Sequence, residues 1–194
     1  MAQSQFPNTP DLKGLDALTH NYVPVFKLFF LYAIPLSLIP PIMLKYIGGK
    51  YAAQFLPALN DKQLLNAGIT LFIAELIMTF LVAFIIQRMS RIVRIRAPFS
   101  DAYKLAVIVP TPFWLVPLFL LIPSIIVNAT VIVLALIISG FLIFYNAPAI
   151  LRVEDEGHAI LLSGTILAIG MVAWVLMMYL ALITWSWVAS SVPH

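Results

Sequence analysis

A lone carboxylate, Glu75, lies in the run ITLFIAELIMTFLVAF, with no other charged residue in that stretch. An ionised carboxylate in hydrocarbon is costly, so Glu75 is expected either to be protonated or to face a polar interior. One reading makes it a proton-linked or cation-linked site, or a contact to a lipid headgroup. The other makes it a neutral glutamic acid, hydrogen-bonded to a neighbouring helix and holding a bundle together. A second feature is LAVIVPTPFWLVPLF, which carries Pro110, Thr111, Pro112, Trp114 and Pro117. Each proline removes a backbone donor and frees a carbonyl four residues earlier, here those of Ala106, Ile108 and Phe113. Broken helix at membrane depth is tolerated only where it is buried in protein or lines a polar cavity. In an antiparallel arrangement this run lies at the depth of Glu75, which could then donate to a freed carbonyl or to Thr111. A simple kink satisfied by Thr111 is the alternative, and it leaves room for a cavity. Glu75, Thr111, Pro110, Pro112 and Trp114 together form the candidate intramembrane polar site.

The run QRMSRIVRIR spaces Arg88, Arg91 and Arg94 three apart, on one face of a helix, with Arg96 following. Such a cluster can bind anionic phosphate headgroups at the cytoplasmic face. The same residues equally set orientation by the positive-inside rule. In RVEDEGH, Glu154, Asp155 and Glu156 precede an apolar helix, where negative charge favours the N-terminal dipole. Three consecutive acids point in different directions, so capping is expected there and no metal site. Asn128 and Asn146 are weaker candidates. Ser163, Gly164 and Gly170 make a small-residue face suited to close helix packing. No Ser-His-Asp set, nucleotide loop or zinc motif is present. No catalytic residue or cofactor is assigned, and an enzyme is not expected.

The elements that must position these residues are membrane-spanning helices. Of 194 residues, 62% are hydrophobic and 10% charged, and the mean hydropathy is +1.02. Soluble domains run near ~45–50% apolar and ~25% charged, and a small soluble fold has too much exterior to hide this excess. Without cysteine, neither disulfides nor thiolate metal sites are available. The first twenty residues are polar and do not read as a cleaved signal peptide. A net charge of +3 reports topology and anionic lipid rather than nucleic acid.

Hydrocarbon about 30 Å thick needs roughly 20 apolar helical residues. Five stretches qualify, at about Val23–Leu44, Gly68–Ile86, Leu105–Ile122, Ile125–Ala147 and Ala159–Val188. The third is broken by its prolines. Pro123-Ser124 is so tight a connection that the third and fourth could instead form one buried hairpin, although each is long enough to cross. With the N-terminus inside, Lys13, Lys27, Arg88, Arg91, Arg94, Arg96, Lys104 and Arg152 gather on the inner side, against Lys45, Lys50 and Lys62 outside. The imbalance predicts N-terminus in and C-terminus out, with Trp185 and Trp187 at the outer interface. Between Tyr46 and Asn66 a loop with a charged tip at Asp61-Lys62 is expected, carrying a short interfacial helix around Phe55 and Leu56. The organisation expected is a cytoplasmic tail, 1–20, and one membrane domain, 21–190.

Several motifs bear a family likeness. AYKLAVIVPTPFWLVPLFLLIP holds Thr111-Pro112, Trp114 and Ile122-Pro123, FYNAPAILRVEDEG holds Tyr145 and Pro148, and SGTILAIG opens the last helix. In these the chain resembles the bacterial branch of the Yip1-domain family, over about residues 20 to 188 and most clearly from Ser100 onward. The resemblance implies a five-helix, multi-pass domain in a bacterial inner membrane, with a cytoplasmic N-terminus. Eukaryotic relatives are linked to vesicle traffic and small GTPases, a role that a short tail does not carry over. Three functions remain open. The first is a non-enzymatic lipid-handling or membrane-organising protein whose partners are membrane lipids. The second is a small transporter using Glu75 as a proton or cation site. The third is a scaffold for other membrane proteins, or a homo-oligomer, packed through Gly140, Gly164 and Gly170.

Overall fold

In a computed structural model, the described residues are 24–46, 61–92, 95 and 97–190. The tail 1–20, the interfacial helix expected near Phe55, and Arg94 and Arg96 lie outside them. Among the described residues every regular element is helical. Five helices are long and apolar enough to cross a membrane. They are α1 (Val25–Tyr46), α2 (Asp61–Ile92), α3 (Phe99–Leu121), α4 (Ile125–Leu151) and α5 (Glu156–Ser190). α2 begins well before its apolar run, so Asp61 and Lys62 open a helix rather than tip a loop.

The prolines shape two helices differently. In α1 the turn before Pro35 widens into a π-helical stretch, Phe29–Ala33, and α-helix resumes at Ile34. A π turn is one way to accommodate a missing i→i−4 donor. α3 breaks outright. Its first α-helical segment, Phe99–Ile108, stops at a turn formed by Val109 and Pro110. A short segment, Thr111–Leu115, follows, and a 3₁₀ stretch, Val116–Leu121, with Pro117 in its first turn, completes the span. The amides of Phe113 and Trp114 both donate to the Pro110 carbonyl, at 2.9 and 3.2 Å. With the Phe113 amide so engaged, the Val109 carbonyl instead accepts the Ser139 hydroxyl of α4, at 2.8 Å.

α3 and α4 are each long enough to span, so the single-hairpin alternative is unnecessary. Their link is tied locally. Ser124 Oγ accepts from the Val127 amide, and Asn128 Nδ2 donates to the carbonyls of Ile122 and Ser124. α4 ends at Arg152, which takes a left-handed conformation with φ 56°.

α2 packs against α3 and α5, α5 also against α4, and α1 against the α2–α3 side. α1 comes close to α2 at Gly68, where an added Cβ would stand 3.1 Å from Pro41 Cβ. One apolar core joins Ile86, Leu105, Ile143, Leu162 and Ile166. Another joins Ala33 of α1 to Tyr103, Val107 and Trp114 of α3. Outward faces are apolar as well, with Phe30, Ile77, Ile126, Phe141 and Leu161 exposed. A patch of that extent does not suit water and does suit acyl chains. Alternating spans bring Lys27, Arg88, Arg91, Lys104 and Arg152 toward one end of the bundle, and Lys45 and Lys62 toward the other.

Candidate functional site

Where α3 breaks, the helices do not close on one another. A cavity of about 350 Å³ lies among α2, α3, α4 and α5, with Pro40 of α1 at its edge. For scale, an apolar protein cavity of ~150 Å³ holds a benzene molecule. The lining residues run along α2 from Leu71 to Ile86 and along α5 from Ile166 to Ala181. At 1.5 Å per residue each stretch is ~22 Å long. The cavity is therefore a slot parallel to the helices, extending through much of a bilayer's hydrocarbon depth.

Its walls are aromatic and thioether-rich. Phe113, Trp114 and Trp174 line it, as do Met78, Met171, Met177 and Met178. The Phe113 and Trp174 ring centroids are 6.3 Å apart. Methionine side chains reshape easily around an apolar guest.

Glu75 projects into this space from α2. The Trp114 side chain lines the same space and is itself buried, at 4% exposure. One carboxyl oxygen, Oε2, is buried without a hydrogen-bond partner among the described residues. Two hydroxyls also line the slot, and both are engaged. Thr79 donates to the Leu76 carbonyl and Ser139 to that of Val109. Among the described lining residues Glu75 is the one acid, and no lysine, arginine or histidine stands with it.

The expected polar set is thus partly rearranged. Glu75, Pro110 and Trp114 meet at the cavity, whereas Thr111 and Pro112 are not among its lining residues. Thr111 turns toward α1, donating to the Val107 carbonyl at 3.1 Å with Tyr32 Oη 2.7 Å from its oxygen. The side chain brought to the cavity with Glu75 is the indole one turn further on, and not Thr111, because the helix restarts after the Val109–Pro110 turn with Trp114 on the cavity side. Tyr32, Ser139, Phe113, Trp174 and the methionines were not singled out from sequence. A lone serine in the apolar stretch of α4 was the available signal for Ser139.

The small-residue reading of α5 is corrected too. A Cβ at Gly164 or Gly170 would meet nothing within 4 Å, and one at Gly140 only Leu167 Cδ1 at 4.0 Å. These glycines do not mediate close packing within the described chain. Gly140 and Gly170 instead line the cavity.

At the basic end Arg88 and Arg91 are exposed, and the Arg88 guanidinium sits over the Phe84 ring at 4.9 Å. In the acidic loop Asp155 caps α5. Its Oδ2 accepts the His158 amide at 2.8 Å and lies 2.7 Å from His158 Nδ1. Those bonds, the backbone one first, hold the Asp155 carboxyl below its usual range. No group of three potential metal ligands occurs among the described residues.

No curated protein and no solved structure matches the chain significantly. Residues 21–177 match the model of the Yip1 domain. That match covers most of the sequence, all five helices fall wholly or largely within it, and the chain belongs to the Yip1 domain family.

Proposed function

We propose that this multi-pass membrane protein is a non-enzymatic lipid-handling protein that lodges one hydrocarbon chain of an amphiphile in its intramembrane slot. The observation that carries this reading is the slot itself: long, narrow, apolar and aligned with the helices. One side of the slot is the broken α3, tied to α4 by the Ser139–Val109 bond. Its adaptable side is the methionine wall. Arg88 and Arg91, exposed at the end nearer Ile86, hold anionic headgroups of the surrounding leaflet. By the excess of basic residues, that end is cytoplasmic in a bacterial inner membrane, and residues 21–190 form one domain.

Native mass spectrometry from mild detergent tests the proposal. The wild type is expected to retain an amphiphile. Gly170→Leu, which puts a side chain into open cavity space, is expected to lose it while the helices stay folded. Arg88→Ala with Arg91→Ala should lower the anionic share of bound lipid without emptying the slot. Equal retention by the wild type and Gly170→Leu would refute the slot as the binding site.

A proton- or cation-coupled transporter is the second reading, favoured by the placement of Glu75 beside a broken helix. It requires uptake or efflux in proteoliposomes that disappears in Glu75→Gln.

A further inference from the structure

The slot is almost wholly apolar, yet one carboxyl, that of Glu75, opens onto it beside the Trp114 indole. Its Oε2 is buried without a hydrogen-bond donor among the described residues. Buried polar atoms left without a partner are rare, and each asks for an explanation. The described residues of the cavity wall do not supply the missing donor. Thr79 and Ser139 spend their protons on backbone carbonyls, and no basic side chain is among the described lining residues. The missing donor would come from a guest.

The surroundings of Glu75 narrow the guest's chemistry. An anionic group would bring no counter-ion to the carboxyl and would itself be left unpaired in a medium of low dielectric. A cation would be matched in charge by the carboxylate. It would also lie among three aromatic rings, those of Phe113, Trp114 and Trp174, whose faces attract ammonium groups. Met78 is one turn along α2 from Glu75, and Leu71 one turn before it. The polar end of a guest at Glu75 would therefore have ~16 Å of apolar slot between it and Ile86, taking 1.5 Å per residue. We infer that the slot's guest is a single-chain organic cation, its ammonium at Glu75 among the Phe113, Trp114 and Trp174 rings and its tail directed toward Ile86. This rests on the reading of the slot as a chain-binding site. The same chemistry is offered by a lipid amine of the bilayer and by a free lipophilic amine.

The test uses the full chain in nanodiscs of zwitterionic lipid and three probes of equal chain length: dodecylammonium, whose N–H groups can donate to Oε2, dodecanol and dodecyl sulfate. Binding is read by displacement of a brominated-chain amphiphile that quenches tryptophan fluorescence. The ammonium is expected to bind roughly tenfold or more tighter than the alcohol, and the sulfate weakest of the three. Glu75→Gln is expected to bring the ammonium down to the level of the alcohol, with an unchanged helical circular dichroism spectrum reporting an intact fold. Equal affinity for ammonium and alcohol in the wild type, or an ammonium preference that survives Glu75→Gln, overturns the inference. If all three probes bind alike and Gly170→Leu abolishes them, the chain-binding slot stands and only its charge selectivity falls. If none binds, both fall. Mass spectrometry of the protein extracted from its native membrane then separates the sources: an amine retained through purification is a bilayer lipid, and one acquired only on addition is a free cation.

Discussion

Two buried serines in neighbouring helices offer a direct test of how the broken helix is held. Ser139 on α4 is 5% exposed and donates to the Val109 carbonyl at 2.8 Å. Ser163 on α5 is 1% exposed, and its hydroxyl has no partner. Replacing Ser139 by alanine strips the acceptor of its donor at a point where the Phe113 amide is committed to the Pro110 carbonyl. Hydrogen bonds between membrane helices average ~0.6 kcal/mol and reach ~1.7. Leaving an acceptor unpaired costs ~1–3 kcal/mol. Ser139→Ala is therefore expected to destabilise by about 1 kcal/mol, above the average because no local amide is free to substitute. Ser163→Ala removes a hydroxyl that bonds to nothing and is expected to be neutral or slightly stabilising. Unfolding in mixed micelles by increasing sodium dodecyl sulfate, followed by tryptophan fluorescence, measures both. Equal effects of the two substitutions would refute the idea that the bond to Val109 supports the break.

Further outcomes are expected elsewhere. Gly68→Ala should loosen the docking of α1, since its Cβ would stand 3.1 Å from Pro41. Gly164→Ala, with open space around the new methyl, should stabilise by up to ~1 kcal/mol through helix propensity. The same detergent titration compares the two, and a stabilising Gly68→Ala would contradict the close contact. Tyr32→Phe and Thr111→Val should show a coupling of ~0.6 kcal/mol in a double-mutant cycle, against zero if the 2.7 Å contact carries no energy. Asp155 gives a pH dependence. Its carboxyl is held below the ordinary aspartate range by His158, so its stabilising contribution is complete above that range and is lost as pH falls through the lowered value. Asp155→Asn, which can still cap but does not titrate, should flatten the acid side of the stability curve. Identical acid slopes in the two proteins would count against the cap.

What could be read from the sequence follows the physics of each feature. Five helices were legible because a bilayer demands long apolar stretches, and nothing else in this composition competes with that demand. Their ends were less so. The polar start of α2, Asp61–Asn66, stays helical although it adds nothing to hydropathy. The break in α3 was legible at Pro110, Pro112 and Pro117, because a proline's missing donor is a local matter. Which side chains the break turns toward α2 was not, since that depends on the rotation between Phe99–Ile108 and Thr111–Leu115. Depth alone placed Glu75 beside the freed carbonyls or Thr111, and rotation brings Trp114 rather than Thr111 to the cavity that Glu75 lines. Glycines were misread for a related reason. A small residue permits close packing but equally leaves a space, and only the neighbours of Gly170 decide which.

Whether the slot beside Trp114 holds a hydrocarbon chain can be read from one indole. In a protein carrying Trp174→Phe, Trp185→Phe and Trp187→Phe, Trp114 is the sole tryptophan. It is only 4% exposed, yet it lines the cavity. In nanodiscs made with brominated acyl chains, Trp114 is expected to be strongly quenched, and the quenching to be relieved when Gly170→Leu fills the slot. Emission that stays unquenched in both proteins, as for an indole sealed among side chains, would contradict a chain in the slot.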